Sequence, residues 1–471
     1  MRIVLNFRLF LLAFCLISFV MGRSNVISYG PYTFVTINDA DNQLKLYKAQ
    51  GLEGEVVLPS KVTFDNKDYL VTELGTSALA NQPITKLTIP ASYKKLHNSA
   101  FYECKDLTEL HISNSESELT VSGNENKMGS TFCDSPLKKV LIGRPLDVVT
   151  RQGMFTNCPI ETVAFTNKFK SLPQRLYLGN AKLKTVQFHD SVSEIPSAAF
   201  AGSTSLESIE LPKGVLQIGS YAFQNCTSLH DVKCTQDVKY IGNYAFSKCE
   251  KLENVDLSAV EEVGDRAFDG CLSLKEAKIP MCKKIGSCAF LGCKSLTRFV
   301  YPEGFENVSD GALFYCDNIT YLEFPSTLKS IGDGNNVFGS FTSCVKLTQV
   351  ACKADAPPLV EDDNAFTERQ MKSAKLIVPK GSVDLYKSDE YWKKFDMIEA
   401  SGVDDVSVGG CYLVVNQKKI YIDGGQNLVS VYSLNGKEIG RYEIGSSITL
   451  DSGIYVLRSG AQNRKIIIEK P

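Results

Sequence analysis

Between residues 195 and 301 the apolar and polar positions fall into one pattern that is written over and over. The segments EIPSAAFAGSTSLESIELP, IGSYAFQNCTSLHDV, IGNYAFSKCEKLENVDL, VGDRAFDGCLSLKEAKIP and IGSCAFLGCKSLTRFVYP share an Ala-Phe pair, then a Leu, then an alternating apolar run. Most add an aliphatic-Gly pair before and a Cys after the Phe. Phe200, Phe223, Phe246, Phe268 and Phe290 hold the Phe position, at steps of 23, 23, 22 and 22 residues. A fixed step of this length predicts a solenoid, because one such unit cannot bury its apolar face without a neighbour on each side. The same position falls upstream on Leu79, Phe101, Phe132, Phe155 and Tyr177, and downstream on Leu313 and Phe338, giving about twelve coils.

Within one coil, Leu206, Ile209 and Leu211 are apolar while Glu207, Ser208 and Glu210 are not. This near-alternation predicts a short strand with one face buried. Leu229/Val232/Cys234, Leu252/Val255/Leu257 and Leu274/Ala277/Ile279 are the counterparts, and stacking would pair them in parallel. The pairs Ile218-Gly219, Ile241-Gly242 and Ile285-Gly286 read as an apolar anchor followed by a tight bend. Pro212, Pro280, Pro302 and Pro325 follow strands, where a missing N–H costs least. No coil leaves room for a long helix. Three residues after the Phe position stand Cys104, Cys158, Cys226, Cys249, Cys271, Cys293 and Cys316, replaced elsewhere by Asn180 and Ser203. A small buried group there fills space or donates weakly to the next coil's carbonyl.

The flanks differ. Residues 1–22 place Arg2 and Arg8 around an apolar run and read as a secretory signal peptide cleaved near Gly22-Arg23, with an uncleaved anchor as the alternative. Cys15 follows Phe14, not the small residue that lipidation needs. Residues 23–72 read as an N-terminal β capping segment, with a hairpin whose arms carry Tyr32, Phe34, Ile37, Leu44 and Leu46. The solenoid occupies 73–352. The polar stretch 113–130 widens the step from Phe101 to Phe132 to 31 residues and reads as an exposed loop, a contact site or a tolerated insertion. Residues 353–400 leave the repeat as a C-terminal cap, in which Tyr386, Tyr391, Trp392 and Phe395 cover the last coil. Residues 401–408 form a linker, and 409–471, with strands punctuated by Asn-Gly and Gly-Gly turns, form a small β-sandwich.

Composition narrows the function classes. The chain has 471 residues, 44% hydrophobic, with a net charge of −2. No sustained basic stripe marks a nucleic-acid partner, and beyond the leader no apolar run is long enough to span a membrane. Fifteen cysteines in a secreted chain suggest disulfides. Ser203 and Asn180 in the same slot argue instead for mostly free, buried thiols. Cys288, in the slot of Tyr221 and Tyr244, is the exception: it reads as exposed and able to pair with Cys282. His97, His111, His189 and His230 are scattered, and no HExxH, GxSxG or phosphate-binding Gly loop occurs. Cys282, Cys288 and Cys293 lack a CxxC pair. Asp39 to Asn42 and Glu361 to Asn364 read as solvated acidic turns rather than calcium loops. The chain reads as non-catalytic, without metal or cofactor.

Outward strand positions of successive coils should align into one open face. Its candidate ligand-binding residues are Glu207, Glu210, His230, Asp231, Lys233, Glu253, Asp256, Lys275, Lys278, Arg298, Tyr321 and Glu323. Arg and Tyr are enriched where binding energy concentrates.

The repeat IGSYAFQNCTSLHDV and its copies resemble the BspA-like leucine-rich repeats of bacterial surface proteins. The resemblance runs over about residues 50–400, from the entry GEVVLPSKVTFDNKDYLVTELG to the exit LIVPKGSVDLYKSDEYWKKFDMIE. It implies a right-handed solenoid, surface display and a binding role; some relatives attach to host matrix proteins or other cells. The departures are the 113–130 insertion, the coil around Tyr177 and the extended coil at Ile331–Cys344. The tail, with VYSLNGKEIG, SGIYVLRSG and KIIIEK, is similar to C-terminal sorting domains of type IX secretion substrates. That implies export to the outer surface of a Gram-negative-type bacterium, with the tail either removed or retained as an accessory domain. The expected fold class is therefore mainly β: a leucine-rich repeat solenoid of about twelve coils, caps at both ends and a small C-terminal β-sandwich. The expected function is adhesion to, or recognition of, host proteins, glycans or other cells, with the export machinery as a second partner. The alternatives are a structural component of the bacterial surface or a module presenting a partner enzyme.

Overall fold

The computed structural model describes residues 26–38, 41–122, 132, 135–149, 154–155, 158–166, 172, 179–233, 236–332, 339–361, 364–401 and eight strands between 406 and 468. The signal-peptide segment, Tyr177, Phe338, Asp39 and the Asp362-Asp363 pair lie outside them. The fold is mainly β, a solenoid of about 14 turns with few helices. The chain divides into two compact units: residues up to Asp237 with Tyr244–Lys251, and Val238–Asn243 with the chain from Leu252 onward.

Most described coils carry two strands where the sequence pattern predicted one; the expected strand over Leu274, Ala277 and Ile279 does not form, and that stretch passes without strand pairing between Asn254–Val255 and Arg298–Val300. In the first unit one ladder stacks Gly54–Val57, Ile84–Ile89, Glu109–Ile112, Lys139–Ile142, Thr162–Phe165 and Thr185–Gln187 in parallel. It resumes with Ser208–Glu210 beside Asp231–Lys233. The second ladder runs through the aliphatic-Gly pairs, as in Glu194–Ile195 beside Gln217–Ile218. The second unit repeats this with Tyr240–Ile241, Glu262–Val263 and Lys284–Ile285, and with Arg298–Val300, Tyr321–Phe324 and Gln349–Cys352. The aliphatic residue of each pair is buried, Ile195 and Ile218 fully and Val263 and Ile285 nearly so, and the residue before it faces out. Two residues per coil are enough for a bridge because the next coil repeats them one rung away.

The glycine of the pair serves close approach rather than the bend that the sequence suggested. A Cβ on Gly219 would stand 2.7 Å from Ser197 N and 2.8 Å from Pro196 C, and one on Gly286 would stand 2.5 Å from Asp265 N. Each glycine N–H donates to the aliphatic residue one coil back, Gly219 to the Ile195 carbonyl at 2.7 Å and Gly286 to that of Val263 at 2.8 Å. The bends lie elsewhere. The residues two before and two after the Phe position adopt left-handed φ, as Tyr221 (62°) and Asn225 (60°) do around Phe223, and Cys288 (56°) and Gly292 (69°) around Phe290.

The rings at the Phe position stack from coil to coil: Phe200 on Phe223 at 5.5 Å and Phe223 on Phe246 at 5.3 Å in the first unit, Phe268 on Phe290 at 5.2 Å in the second. The cysteine three residues on donates its thiol to a carbonyl of the preceding coil, not the next one. Cys226 reaches the Phe200 carbonyl at 3.3 Å, Cys249 that of Phe223 at 3.1 Å, and Cys316 that of Phe290 at 3.1 Å. Asn180 makes the same bond to the Phe155 carbonyl with its amide at 2.9 Å. The eleven cysteines from Cys104 to Cys352 whose side chains are described are free and buried. Cys288, expected to be exposed, is 4% accessible, and Cys282 donates to the Lys284 carbonyl instead of forming a bridge.

The described part of the insertion is not all exposed loop. Leu119 and Val121 are buried, and Leu119–Ser122 is a ladder strand between Lys95–Leu96 and Leu146–Val149. Arg144, fully buried, locks the approach to this strand. Its guanidinium donates to the carbonyls of Ala91, Tyr93, Ser117 and Glu118 and to the Ser117 hydroxyl, at 2.6 to 3.2 Å.

The ends are covered by different means. At the N-terminus Tyr32–Asn38 and Gln43–Ala49 form the expected antiparallel hairpin, with Phe34, Leu44 and Leu46 fully buried. At the other end the ladder goes further than the repeat pattern. Lys375–Val378 and Met397–Ala400 add two parallel strands after Gln349–Cys352. The Phe position continues at Phe341, not Phe338: Phe341 is fully buried, lies three residues before Cys344, and stacks on Phe366 at 4.9 Å. Such added coils raise the count above twelve. Trp392 is fully buried, and its indole N–H donates to the Pro358 carbonyl at 2.8 Å. Between 406 and 468 the strands form two four-stranded antiparallel sheets.

Candidate functional site

The outward positions of the strand ladder come together within each unit. In the first, the register sets Ser208 beside Asp231 and Glu210 beside Lys233. Glu207, Glu210, His230 and Lys233 are exposed and Asp231 is half-buried. The Lys233 ammonium lies 3.8 Å from the Asp231 carboxylate. This half of the face is a mixed-charge surface, and exposed pairs of this kind contribute little to stability.

In the second unit the predicted residues are more tightly engaged with one another. Lys275 pairs with Glu253 at 2.6 Å, and Lys278 with Glu276 at 2.9 Å. The Asp256 carboxylate accepts the Ser258 N–H at 2.9 Å, so it fixes a turn. Farther along, Arg298 lies beside Tyr321 in register, with its guanidinium 4.6 Å from the ring centroid. Such a cation over a ring is held by the ring quadrupole.

Glu323 departs from the expectation. It is 3% exposed and does not present a carboxylate to solvent. The carboxylate accepts from Arg298 at 3.4 Å, from the Tyr321 hydroxyl, and from Lys353 at 2.7 Å. A buried carboxylate needs this degree of satisfaction. Lys353, which sequence reasoning missed, is the second cation. The register pairs Glu323 with Ala351, whose small side chain leaves room above it. Lys353 follows two residues later with the same outward parity, and that parity was the available signal. The arrangement presents a rigid guanidinium-on-phenol platform with two cations around one carboxylate. It holds no nucleophile and base aligned for chemistry. The described residues bring no three His, Cys, Asp or Glu side chains together for a metal, and none of their helices is long and apolar enough to cross a membrane.

A parallel ladder of short strands in coils of 22 to 23 residues, closed by Phe and Cys stacks, is the architecture of a leucine-rich repeat protein. The chain belongs to the BspA type leucine-rich repeat family: that repeat region matches in six copies over residues 59–150, 148–275 and 261–380. No curated protein matches the chain. Among solved structures it is similar to a leucine-rich repeat protein from Bacteroides ovatus, with 20% identity over 71% of this chain and 94% of that one and a TM-score of 0.40. It is also similar to a leucine rich cell surface protein from Faecalibacterium prausnitzii, with 20% identity, 80% and 95% coverage and a TM-score of 0.35. The pneumococcal vaccine antigen PcpA matches at 17% identity, 80% and 99% coverage and a TM-score of 0.32.

Proposed function

We propose that this chain is a secreted, surface-displayed, non-catalytic binding protein that acts in adhesion or recognition through the outward face of its strand ladder. The observation that carries the reading is the Arg298–Tyr321–Glu323–Lys353 cluster. A stacked Arg and Tyr, held in place from below by a buried carboxylate, loses little side-chain entropy when it meets a partner. Arg and Tyr are also the residue types that dominate binding energy at protein surfaces. The leader at residues 1–22 supports export, and the tail motifs support the type IX route to the outer surface. The two antiparallel sheets between 406 and 468 are compatible with a separate sorting domain. The partner is a host or neighbouring-cell protein or glycan.

The test is a binding screen of the chain from residue 23 onward against matrix proteins, a glycan array and whole cells, with salt titration of each hit. Saturable binding that is lost in the Arg298→Ala/Tyr321→Ala double variant supports the reading. Binding that ignores both changes moves the site off this platform. Absence of any partner together with concentration-dependent self-association replaces adhesion by a structural role in the bacterial surface.

A further inference from the structure

A second surface feature lies in the turns of the first unit, outside the strand face. The residue two before the buried Phe is Ala198, Tyr221 and Tyr244 in three successive coils. All three share a left-handed backbone, with φ of 53°, 62° and 58°. A shared backbone conformation sends the three side chains out of the coil in the same direction. The Tyr221 and Tyr244 rings accordingly stack, with centroids 5.0 Å apart and planes 6° from parallel. The stacking axis therefore runs from coil to coil, and the far face of the Tyr221 ring looks toward the coil of Ala198. There the corresponding position carries only a methyl group. Tyr221 is 41% exposed, and Ser197 and Ser220, each preceding one of these residues, are half-buried in the same turns.

We propose that the face of Tyr221 above Ala198 is a stacking site for one pyranose ring of a surface glycan. The π-face of an aromatic ring carries partial negative charge and attracts the polarised C–H groups on the flat side of a sugar. The exposed Tyr221 ring is bordered by the half-buried Ala198 methyl. A sugar seated there keeps most hydroxyls in water, with the two serines as neighbours, and strips no buried polar group of its partner. A charged ligand finds no compensating ion in this turn, since Ser197, Ala198, Ser220 and Tyr221 are all uncharged. The site is independent of the Arg298–Tyr321 platform, which belongs to the second unit.

The test uses the full chain with ring-labelled tyrosine, followed by NMR during titration with methyl β-galactoside, methyl α-mannoside and N-acetylglucosamine. At least one sugar should shift the Tyr221 ring signals saturably. Ala198→Tyr should fill the site with a third stacked ring and weaken binding about tenfold without lowering the melting temperature. The left-handed backbone already carries Tyr at positions 221 and 244, so this change suits the fold. Tyr221→Leu keeps an apolar side chain and should remove the same binding, and it decides the matter if Ala198→Tyr does not fold. Arg298→Ala should leave sugar binding unchanged. The proposal is overturned if no sugar moves the Tyr221 signals, or if binding survives at full strength in Tyr221→Leu. Tighter binding of N-acetyltyrosinamide than of every sugar also overturns it, in favour of an aromatic peptide side chain.

Discussion

Replacing Gly286 by alanine probes how closely two coils can approach. The added Cβ would lie 2.4 Å from Asp265 Oδ1, 2.5 Å from Asp265 N and 2.6 Å from Gly264 C. The carboxylate oxygen can swing aside, but the two main-chain atoms cannot. They fall roughly 0.8 Å short of the 3.4 Å at which ordinary contact begins. Relief requires the coils to part locally, which stretches the Gly286 N–H bond to the Val263 carbonyl, now 2.8 Å, and the Ser287 N–H bond to Asp265 Oδ1, now 2.9 Å. Overpacking of this kind costs about 1–3 kcal/mol, and each weakened hydrogen bond adds about 1 kcal/mol. The variant should therefore lose about 3–5 kcal/mol. Gly381→Ala is the control in the same unit: nothing lies within 4 Å of its Cβ and its φ is not left-handed. It should be neutral or stabilising by up to about 1 kcal/mol, through the unfolded state. Urea unfolding followed by far-UV circular dichroism gives both values. A Gly286→Ala variant as stable as Gly381→Ala would refute the reasoning.

Buried polar and thiol groups give three further expected outcomes. Ser203 stands in the cysteine slot, fully buried, and among the described residues its hydroxyl has no partner; Ser203→Cys should raise stability by about 1 kcal/mol, measured as a higher urea midpoint. Burial pushes the Cys226 and Cys316 thiols up to about 12 from an ordinary 9.0. The unfolded chain gives up these protons first, so stability is full below pH 9 and falls as pH rises toward 12, by about 1.4 kcal/mol per pH unit per thiol. A urea midpoint that stays level across that window would contradict the burial. Arg144→Met leaves five acceptor contacts unmade and should cost about 3–5 kcal/mol, with faster cleavage by a Glu-specific protease at Glu116 and Glu118; Arg144→Lys should recover little, because one ammonium cannot replace the planar fork.

The sequence by itself determined the repeat, the parallel stacking of its strands, the buried Phe and Cys columns and the hairpin at the N-terminus. Burial explains why these were legible. A position that faces the core in every coil is restricted to a few residue types, so the restriction recurs at the coil period. The same logic placed the outward residues on the strand ladder, since alternation along a strand assigns each side chain a face. Sequence could also mislead where the period drifts. Phe338 fits the step from Leu313, but the Cys three residues after Phe341 marks the true rung.

The tertiary structure decided everything that depends on distance between coils. The second ladder, the glycine close approach and the direction of the thiol bonds involve atoms one coil apart, about 22 residues along the chain. No local pattern records which coil a carbonyl belongs to. The character of the candidate site was settled in the same way. Glu323 alternates as an exposed residue, yet Arg298, Tyr321 and Lys353 from three coils close over it. Leu119–Ser122 looked like part of a polar insertion because its neighbours are polar, although two inward apolar side chains and a free ladder edge were enough to make it a strand. Apolar periodicity fixes what is inside. Which outward groups meet is set by packing across coils, and packing places no comparable restriction on residue type at any single position.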